Sequence, residues 1–209
     1  MKVIIFGASS KTSIGYHIGR GLVKNGYEVI YASRSGKLGE KCDINDFYQT
    51  DKLLFDVCPN IVIDATGVFS KPENFGCHSD FLKAREHLLV SSYGALVLAD
   101  AAVRNKVEKL IMVGGRANSC NREFGVYAVA NGSKSALVDF LVTYERFRIK
   151  SYYLDLPTIK YSTMIRGEGN HLYRHVPIPE EATLEDVNFA VQDILIDKYP
   201  NGSRVIVKK

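Results

Sequence analysis

Cysteine is scarce in this sequence, and the few thiols it has are not grouped. The four cysteines lie at Cys42, Cys58, Cys77 and Cys120. No two of them form a CxxC pair, and no spacing is typical of a metal-binding cluster. This pattern argues against a disulfide framework and against a structural zinc site. We therefore predict reduced thiols, no bound metal and a cytoplasmic location.

Long apolar runs and runs of one charge are also missing. No stretch approaches the roughly 18–20 apolar residues that a membrane span needs. "MKVIIFGASS" passes directly from a short apolar run into glycine and serine, so we predict no signal peptide. Lysine and arginine (27) only slightly outnumber aspartate and glutamate (23), and they form no basic stripe. We expect neither nucleic acid nor a membrane as a partner.

The sequence does contain a regular alternation of strand and helix patterns. Apolar runs such as "KVIIFGAS" are typical of strands that are buried on both faces. Segments with apolar residues at helical spacing follow these runs after short connections. The predicted strands are 2–9, 27–34, a short one near 38–42, 59–67, 109–115, 150–157 and 202–209. The predicted helices are 13–26, 44–57, 78–106 in two pieces, 131–147 and 183–197, the last capped by Thr183.

This alternation predicts right-handed βαβ units. A chain of 209 residues with 46% hydrophobic content suits one domain, 1–209, with a full core. We predict an α/β fold, namely a single Rossmann-type domain whose doubly wound parallel sheet has about seven strands and helices on both faces. Ligands of such sheets bind beyond the carboxyl ends of the strands.

The loop "GASSKTSIG" (7–15) joins the first strand to the first helix and suits an anion. Gly7 permits a tight turn there. Ser13 and Gly15 are small, so the helix N-terminus can approach a pyrophosphate. The spacing is not GxGxxG, and a plain strand–helix loop is the alternative. We predict that this loop binds a dinucleotide.

The residues after the second and third strands bear on which dinucleotide binds. NAD sites usually have an acid after the second strand for the ribose 2′-hydroxyl. Here Ser33 and Arg34 follow that strand, and Arg34 can clamp a 2′-phosphate bidentately. Lys11 and Lys37 add charge nearby, so we predict NADP(H); a solvated Arg34 is the alternative. Asp43 could accept a hydrogen bond from the adenine amino group or cap the next helix.

Together these patterns resemble the short-chain dehydrogenase/reductase superfamily, and most of all its divergent branch, which includes the enoyl-acyl-carrier-protein reductases. The resemblance covers nearly the whole chain, and the order of its motifs is fairly specific. Its motifs are the stretched glycine spacing Gly7…Ser13…Gly15, "DATG" (64–67) at the family's Asn-Asn-Ala-Gly position, the helix "SSYGALVLADAA" (91–102), and Tyr127 and Lys134 in a Tyr-x6-Lys spacing.

The resemblance implies hydride transfer to a carbonyl or conjugated enoyl group of a small or carrier-bound substrate. It implies that Tyr127 acts as the acid or oxyanion stabiliser and that Lys134 supports it and bonds the ribose. Ser119 would replace a hydroxyl that the family carries at the end of the fifth strand. The predicted cofactor contacts are Gly7, Ser9, Ser10, Lys11, Ser13, Ile14, Gly15, Ser33, Arg34, Asp43, Ile44, Ala65, Thr66, Gly67, Lys134, Pro157 and Ile159.

The spacing of Tyr127 and Lys134 permits these roles. Seven residues span nearly two helical turns, about 10.5 Å, so both residues lie on almost the same face. Their tips converge more easily if Tyr127 precedes the helix, and Asn131 and Gly132 suggest a late helix start. The alternative is that Tyr127 packs a loop and Lys134 is a surface lysine.

One departure from the family pattern favours a different function. The fifth strand ends in Gly114 and Gly115, without the family's hydroxyl side chain. The alternative to a reductase is therefore a regulatory protein or sensor that binds NADP(H) without chemistry. The stretch 158–180 has no clean period, and we predict a substrate loop or lid there. Segments 88–102 and 135–147 could pair copies of the chain into a homodimer or homotetramer.

Overall fold

The computed structural model describes residues 1–67, 78–115, 125–143, 147–157 and 182–208, without the side chains of 78–80 and 125–128. The strands are β1 (Lys2–Phe6), β2 (Glu28–Ser33), β3 (Glu40–Lys41), β4 (Ile61–Asp64), β5 (Lys109–Gly115), β6 (Lys150–Leu156) and β7 (Arg204–Ile206). The helices are α1 (Ile14–Lys24), α2 (Phe47–Val57), α3 (His78–Leu88), α4 (Gly94–Arg104), α5 (Gly125–Thr143) and α6 (Leu184–Leu195), with a π-helical segment (Leu89–Tyr93) between α3 and α4.

The seven described strands form one parallel sheet in the order β3-β2-β1-β4-β5-β6-β7. The chain starts near the middle of the sheet, builds outward to β3, and then returns to build the other half. Such an order places a switch point between β1 and β4, and ligands of these folds bind at that crevice. The predicted fold class is confirmed, and only the ends of the elements differ from the prediction.

Helices cover both faces of this sheet. One face packs Phe6 against Leu98 and Val138, so α4 and α5 close that core together with α2. The other face packs against Ile18 and Val191, so α1 and α6 close the second core. Because successive side chains of a strand point to opposite faces, each central strand contributes to both cores. The apolar interior leaves the carboxyl edge of the sheet as the place where polar groups meet.

Two helix starts follow from short polar side chains. Helix α2 begins after Asp46, whose carboxylate accepts the N–H three residues further on. Asp43 instead accepts the Asn45 N–H at 3.0 Å within the preceding loop. The capping alternative for Asp43 is therefore wrong, because Asp46 stands directly before the first helical residue. Helix α6 starts at the predicted cap Thr183, in a capping box with Asp186.

Helix α5 begins earlier than predicted. It starts at Gly125, so Asn131 and Gly132 lie within the helix rather than at its start. An internal glycine costs a helix only about 1 kcal/mol, and burial of the face around it outweighs that cost. Tyr127 is consequently a helical residue, two turns before Lys134 on one continuous element.

The C-terminal end of α6 is tied to the sheet by one carboxylate. Asp197 lies 2.8 Å from the Lys109 ammonium and 3.0 Å from that of Lys150, and it accepts the Tyr152 hydroxyl at 3.3 Å. The lysine hydrogen bonds, that of Lys109 first, lower the pKa of Asp197 from 3.8 to about 2. Burial, aided by the Asp197 charge, raises the pKa of Tyr152 to about 12, so this phenol stays protonated as a donor.

The variant Asp197→Asn is expected to lose stability at neutral pH and to match the parent protein near pH 2. A carboxyl whose folded pKa is lowered stabilises the fold above its unfolded pKa, and this contribution disappears as the pH falls through the folded value. The backbone φ of 58° at this position is one that asparagine tolerates, so the change isolates the charge. Thermal unfolding as a function of pH measures the difference.

Asp56→Asn provides a matched control for this experiment. Asp56 pairs with Lys52 on the exposed surface of α2, and such a pair contributes little to stability. A melting-temperature difference for Asp197→Asn that stays constant from neutral pH down to pH 2 would contradict the assignment.

Candidate active site

The parallel register brings the predicted site residues of several strands to one edge of the sheet. Gly7 follows β1, Ser33 ends β2, Asp64 ends β4, and Gly115 ends β5. Pro157 follows β6 at the same edge and is buried. Helix α5 crosses one face of this edge, and α1 begins beside it. A ligand placed here would touch residues from widely separated parts of the chain.

The glycine loop approaches the end of β4 closely. Gly7 has a φ of 91°, and any Cβ there would strike the carbonyl oxygen of Ala65. A Cβ on Gly15 would lie 3.2 Å from the Cβ of Ala65 and 3.3 Å from the backbone N of Ala8. Gly7 is therefore required by backbone proximity and by its positive φ, whereas a side chain at Gly15 would need its neighbours to shift slightly.

The N-terminus of α1 is arranged to favour an anion. Ser13 caps the helix by accepting the Tyr16 N–H at 3.3 Å, and its hydroxyl donates to the Ser10 carbonyl at 2.7 Å. No acidic residue lies in the first turn. The helix dipole and the remaining N–H groups thus leave a positive end beside the exposed Ser10 and Lys11.

The end of β2 carries an exposed ion pair. A guanidinium nitrogen of Arg34 lies 3.5 Å from a carboxylate oxygen of Glu86 on α3. The Ser33 hydroxyl accepts the Gly36 N–H at 3.2 Å and closes the turn after the strand. Arg34 therefore lies at the carboxyl edge in an exposed ion pair, and its contact with a 2′-phosphate stays a prediction. Glu86 was not predicted from the sequence.

The loop after β3 lies against α4. Ile44 is buried, and a Cβ on Gly94 would come within 2.7 Å of its side chain. The Asp43 carboxylate turns back to its own loop, as described above. Ile44 thus belongs to the hydrophobic core beside α4. The adenine contacts of both residues remain predictions.

The centre of the site is a buried ion pair between α5 and β4. The Lys134 ammonium lies 2.9 Å from the Asp64 carboxylate, and the two side chains are 1% and 0% exposed. The same ammonium donates to the carbonyls of Thr66 at 2.7 Å and of Val113 at 3.3 Å. The ammonium therefore donates to two carbonyls and is paired by charge with the carboxylate. The surface-lysine alternative is wrong.

Asp64 is held in place by its own strand end. Its Oδ1 atom accepts the Thr66 N–H at 2.9 Å and the Thr66 hydroxyl at 2.5 Å. Its Oδ2 atom meets Lys134 at ion-pair distance, but not at the angles of an aligned hydrogen bond. Charge attraction therefore dominates this contact. The pair fixes the turn at Thr66, which the sequence predicts to contact the cofactor.

Sequence reasoning missed Asp64, although a signal was present. The strand "IVID" is apolar up to its last residue, and an aspartate buried in such a strand needs a cation. Lys134 lies between Ala130 and Val138 on the buried face of α5, where a lysine needs an acid. Since each of these two buried charges needs a partner of opposite sign, the sequence indicates that Asp64 and Lys134 form a pair.

Gly114 lacks a side chain because Tyr153 fills the space above it. A Cβ on Gly114 would strike the Tyr153 hydroxyl and would lie 2.6 Å from its Cζ atom. Tyr153 comes from the adjacent strand β6 and is 2% exposed, so its ring has no room to swing away. A phenol hydroxyl thus stands at the strand end where the family pattern has a hydroxyl side chain. Sequence reasoning missed this residue as well.

Several predicted residues lie outside the part of the chain that the structure describes. These are Ser119, Ile159, the side chain of Tyr127 and the loop 158–180. Within the described ranges, no group of three or more His, Cys, Asp or Glu side chains is placed to hold a metal. In the same ranges, no helix has the length and apolar character needed to cross a membrane.

Solved structures share this fold over essentially the full chain. A small-chain dehydrogenase in complex with NADPH has a TM-score of 0.80 at 17% identity, with 100% of this chain and 96% of that chain covered. A short chain dehydrogenase from Burkholderia cenocepacia J2315 in complex with NADP has a TM-score of 0.82 at 13% identity, with 99% and 95% covered. An enoyl-(acyl-carrier-protein) reductase from Anaplasma phagocytophilum in complex with NAD has a TM-score of 0.77 at 17% identity, with 99% and 90% covered.

These neighbours confirm the predicted resemblance at the level of the fold. No protein-family profile and no curated protein matches the chain. The neighbours carry NADPH, NADP or NAD, so both phosphorylated and unphosphorylated dinucleotides occur on this fold.

Replacing one member of the buried pair is expected to cost more stability than replacing both. Lys134→Met leaves the Asp64 carboxylate buried without its cation, and such a break typically costs about 3–5 kcal/mol of unfolding free energy. The double variant Asp64→Asn/Lys134→Met removes both charges at similar volume and should recover the part of that loss that comes from the unpaired carboxylate, but not the two carbonyl hydrogen bonds of Lys134. Denaturant unfolding measures both. Lys52→Met, in an exposed pair with Asp56, is the control and should change little.

Restoring a hydroxyl side chain at position 114 is expected to destabilise the protein. Gly114→Ser forces the Tyr153 ring out of its packed position, and such overpacking costs about 1–3 kcal/mol. The same change in a Tyr153→Leu background should cost clearly less, because the ring is gone. Gly132→Ser is the control, since nothing lies within 4 Å of a Cβ there. An equal loss of unfolding free energy on Gly114→Ser in both backgrounds would contradict overpacking against Tyr153 as the cause.

Proposed function

We propose that this chain is an NADP(H)-dependent oxidoreductase of the short-chain dehydrogenase/reductase type. It would transfer hydride to a carbonyl or conjugated enoyl group of a small or carrier-bound substrate. The observation that carries the proposal is the glycine loop, held against the β4 end beside an α1 N-terminus without acids. The same fold in structures with bound NADPH, NADP and NAD supports it.

The described residues fit a dinucleotide. The Gly7 turn leaves no room for a side chain, so the backbone can cradle a pyrophosphate at the α1 N-terminus. Arg34 supports the choice of NADP(H), because its guanidinium suits a phosphate. Residues 7–15 would hold the pyrophosphate, Ser33 and Arg34 the ribose phosphate, Asp43 and Ile44 the adenine, and Ala65, Thr66, Gly67 and Pro157 the nicotinamide half.

When bound, the dinucleotide would supply the hydride. Tyr127 would give its hydroxyl proton to the substrate oxygen, or stabilise the negative charge that develops there. The Lys134 ammonium already donates to two carbonyls and pairs with Asp64, so this residue would act through its positive charge and by fixing Thr66. Hydrogen bonding of Lys134 to the ribose stays a prediction. It requires the ammonium to give up one of its contacts with a protein oxygen in favour of a ribose hydroxyl.

A second candidate function is an NADP(H) sensor without chemistry. The Lys134 geometry favours it, because the ammonium already donates to two carbonyls and pairs with the Asp64 carboxylate. Such a protein would keep the glycine loop and Arg34 and would use the dinucleotide as a signal. Binding without turnover would identify it.

The exposed apolar side chains support a homodimer or homotetramer. Leu89, Tyr93 and Leu96 lie on the π-helical segment and α4, and they are 39%, 47% and 51% exposed. Phe140 on α5 is 47% exposed. We propose that these helices pair copies of the chain, which sedimentation velocity tests directly.

The free thiols Cys42 and Cys58 support the proposed cytoplasmic location.

NADPH oxidation across a panel of enoyl, keto and aldehyde substrates tests the proposed reaction. Once a substrate is found, Tyr127→Phe should lower kcat by about 100-fold or more, because it removes the proton donor. NADPH binding, followed by fluorescence, should not change. Tyr48→Phe is the control, since Tyr48 is 81% exposed on α2. Full activity of Tyr127→Phe excludes the assigned role, and NADPH binding without any turnover supports the sensor.

A further inference from the structure

The ion pair at the end of β2 combines the residue predicted to bind a phosphate with an acid from another element. Arg34 and Glu86 approach to 3.5 Å, and their side chains are 59% and 50% exposed. Glu86 belongs to α3, more than one βα unit away in the sequence. In NAD sites the acid usually follows the second strand in the sequence. Here the acid is Glu86, and the fold brings it to the end of β2 from another helix.

The position of Glu86 has two electrostatic effects on a 2′-phosphate. Its carboxylate already faces the guanidinium, so the phosphate must displace it before Arg34 can bind the phosphate bidentately. Once displaced, the carboxylate remains a nearby negative charge opposite a group that carries about −1.5 to −2. A ribose 2′-hydroxyl experiences neither effect.

A phosphate can nevertheless displace the Glu86 carboxylate from Arg34. An exposed ion pair contributes only about 0–1 kcal/mol, since water and salt screen it. A phosphate dianion attracts the same guanidinium more strongly than a single carboxylate does. Glu86 is thus placed to weaken NADP(H) binding without abolishing it.

We propose that Glu86 is a specificity-determining residue that competes with the 2′-phosphate of NADP(H) for Arg34 and so narrows the preference for NADP(H) over NAD(H). This inference rests on the proposed dinucleotide site, and it concerns binding alone. It predicts that this chain discriminates less strongly between the two cofactors than an arginine after β2 alone would suggest.

Titration of NADPH and NADH against the full chain tests the proposal. Glu86→Gln should tighten NADPH binding by about threefold to tenfold and leave NADH within about twofold. In an Arg34→Ala background, the same change should have no effect on the NADPH dissociation constant, because the contested cation is absent. The experiment reads dissociation constants and needs no substrate.

Glu28→Gln is the matched control. Glu28 starts β2 and pairs with Lys2 at 3.9 Å, so this variant makes the same change of net charge at the opposite end of the strand. It should leave both dissociation constants unchanged. Tightening by Glu28→Gln equal to that by Glu86→Gln would show a general charge effect and overturn the proposal.

The remaining outcomes separate this inference from the proposed function. Unchanged or weaker NADPH binding by Glu86→Gln overturns the role of Glu86, while the dinucleotide site stands. Tightening that persists without Arg34 overturns it as well. A parent protein that binds neither NADPH nor NADH overturns the proposed function, and the inference fails with it.

Discussion

The organisation of the candidate site depends on one buried ion pair. Lys134 and Asp64 join α5 to the end of β4, and the lysine also holds the carbonyls of Thr66 and Val113. One side chain thereby fixes the relative position of two strand ends and the helix that carries Tyr127. Two charges in such a place are costly to desolvate, and they are tolerated because each compensates the other. The same geometry that stabilises the site limits how freely Lys134 can reach a ligand.

Close backbone packing is the second constraint on this edge of the sheet. Gly7 is needed because its Cβ would strike Ala65, Gly15 is tightly packed against the same residue, and Gly114 is needed because an aromatic ring lies above it. The first two glycines leave main-chain N–H groups open to an anion. Gly114 opens no such space for a ligand, because the Tyr153 ring already fills the volume above it.

The order of elements was predictable because apolar runs bounded by glycine alternate with amphipathic segments. The start of α5 was not, because Asn131 and Gly132 are typical of helix ends, and only tertiary burial shows that the helix passes through them. Asp64 and Lys134 are far apart in the sequence, so their contact follows from the sheet order rather than from any local motif. Glu86 reaches Arg34 in the same way. Local patterns thus indicate which residues are polar at the edge, whereas the fold decides which of them meet.

The contact between Gly114 and Tyr153 also constrains how this protein can diverge. Neighbouring strands place the two residues in one small volume, so neither position can enlarge unless the other shrinks. Relatives with serine at position 114 should therefore carry a smaller side chain at position 153, and the two positions should vary together. A hydroxyl at this strand end can therefore come from either of two neighbouring strands, but not from both at once.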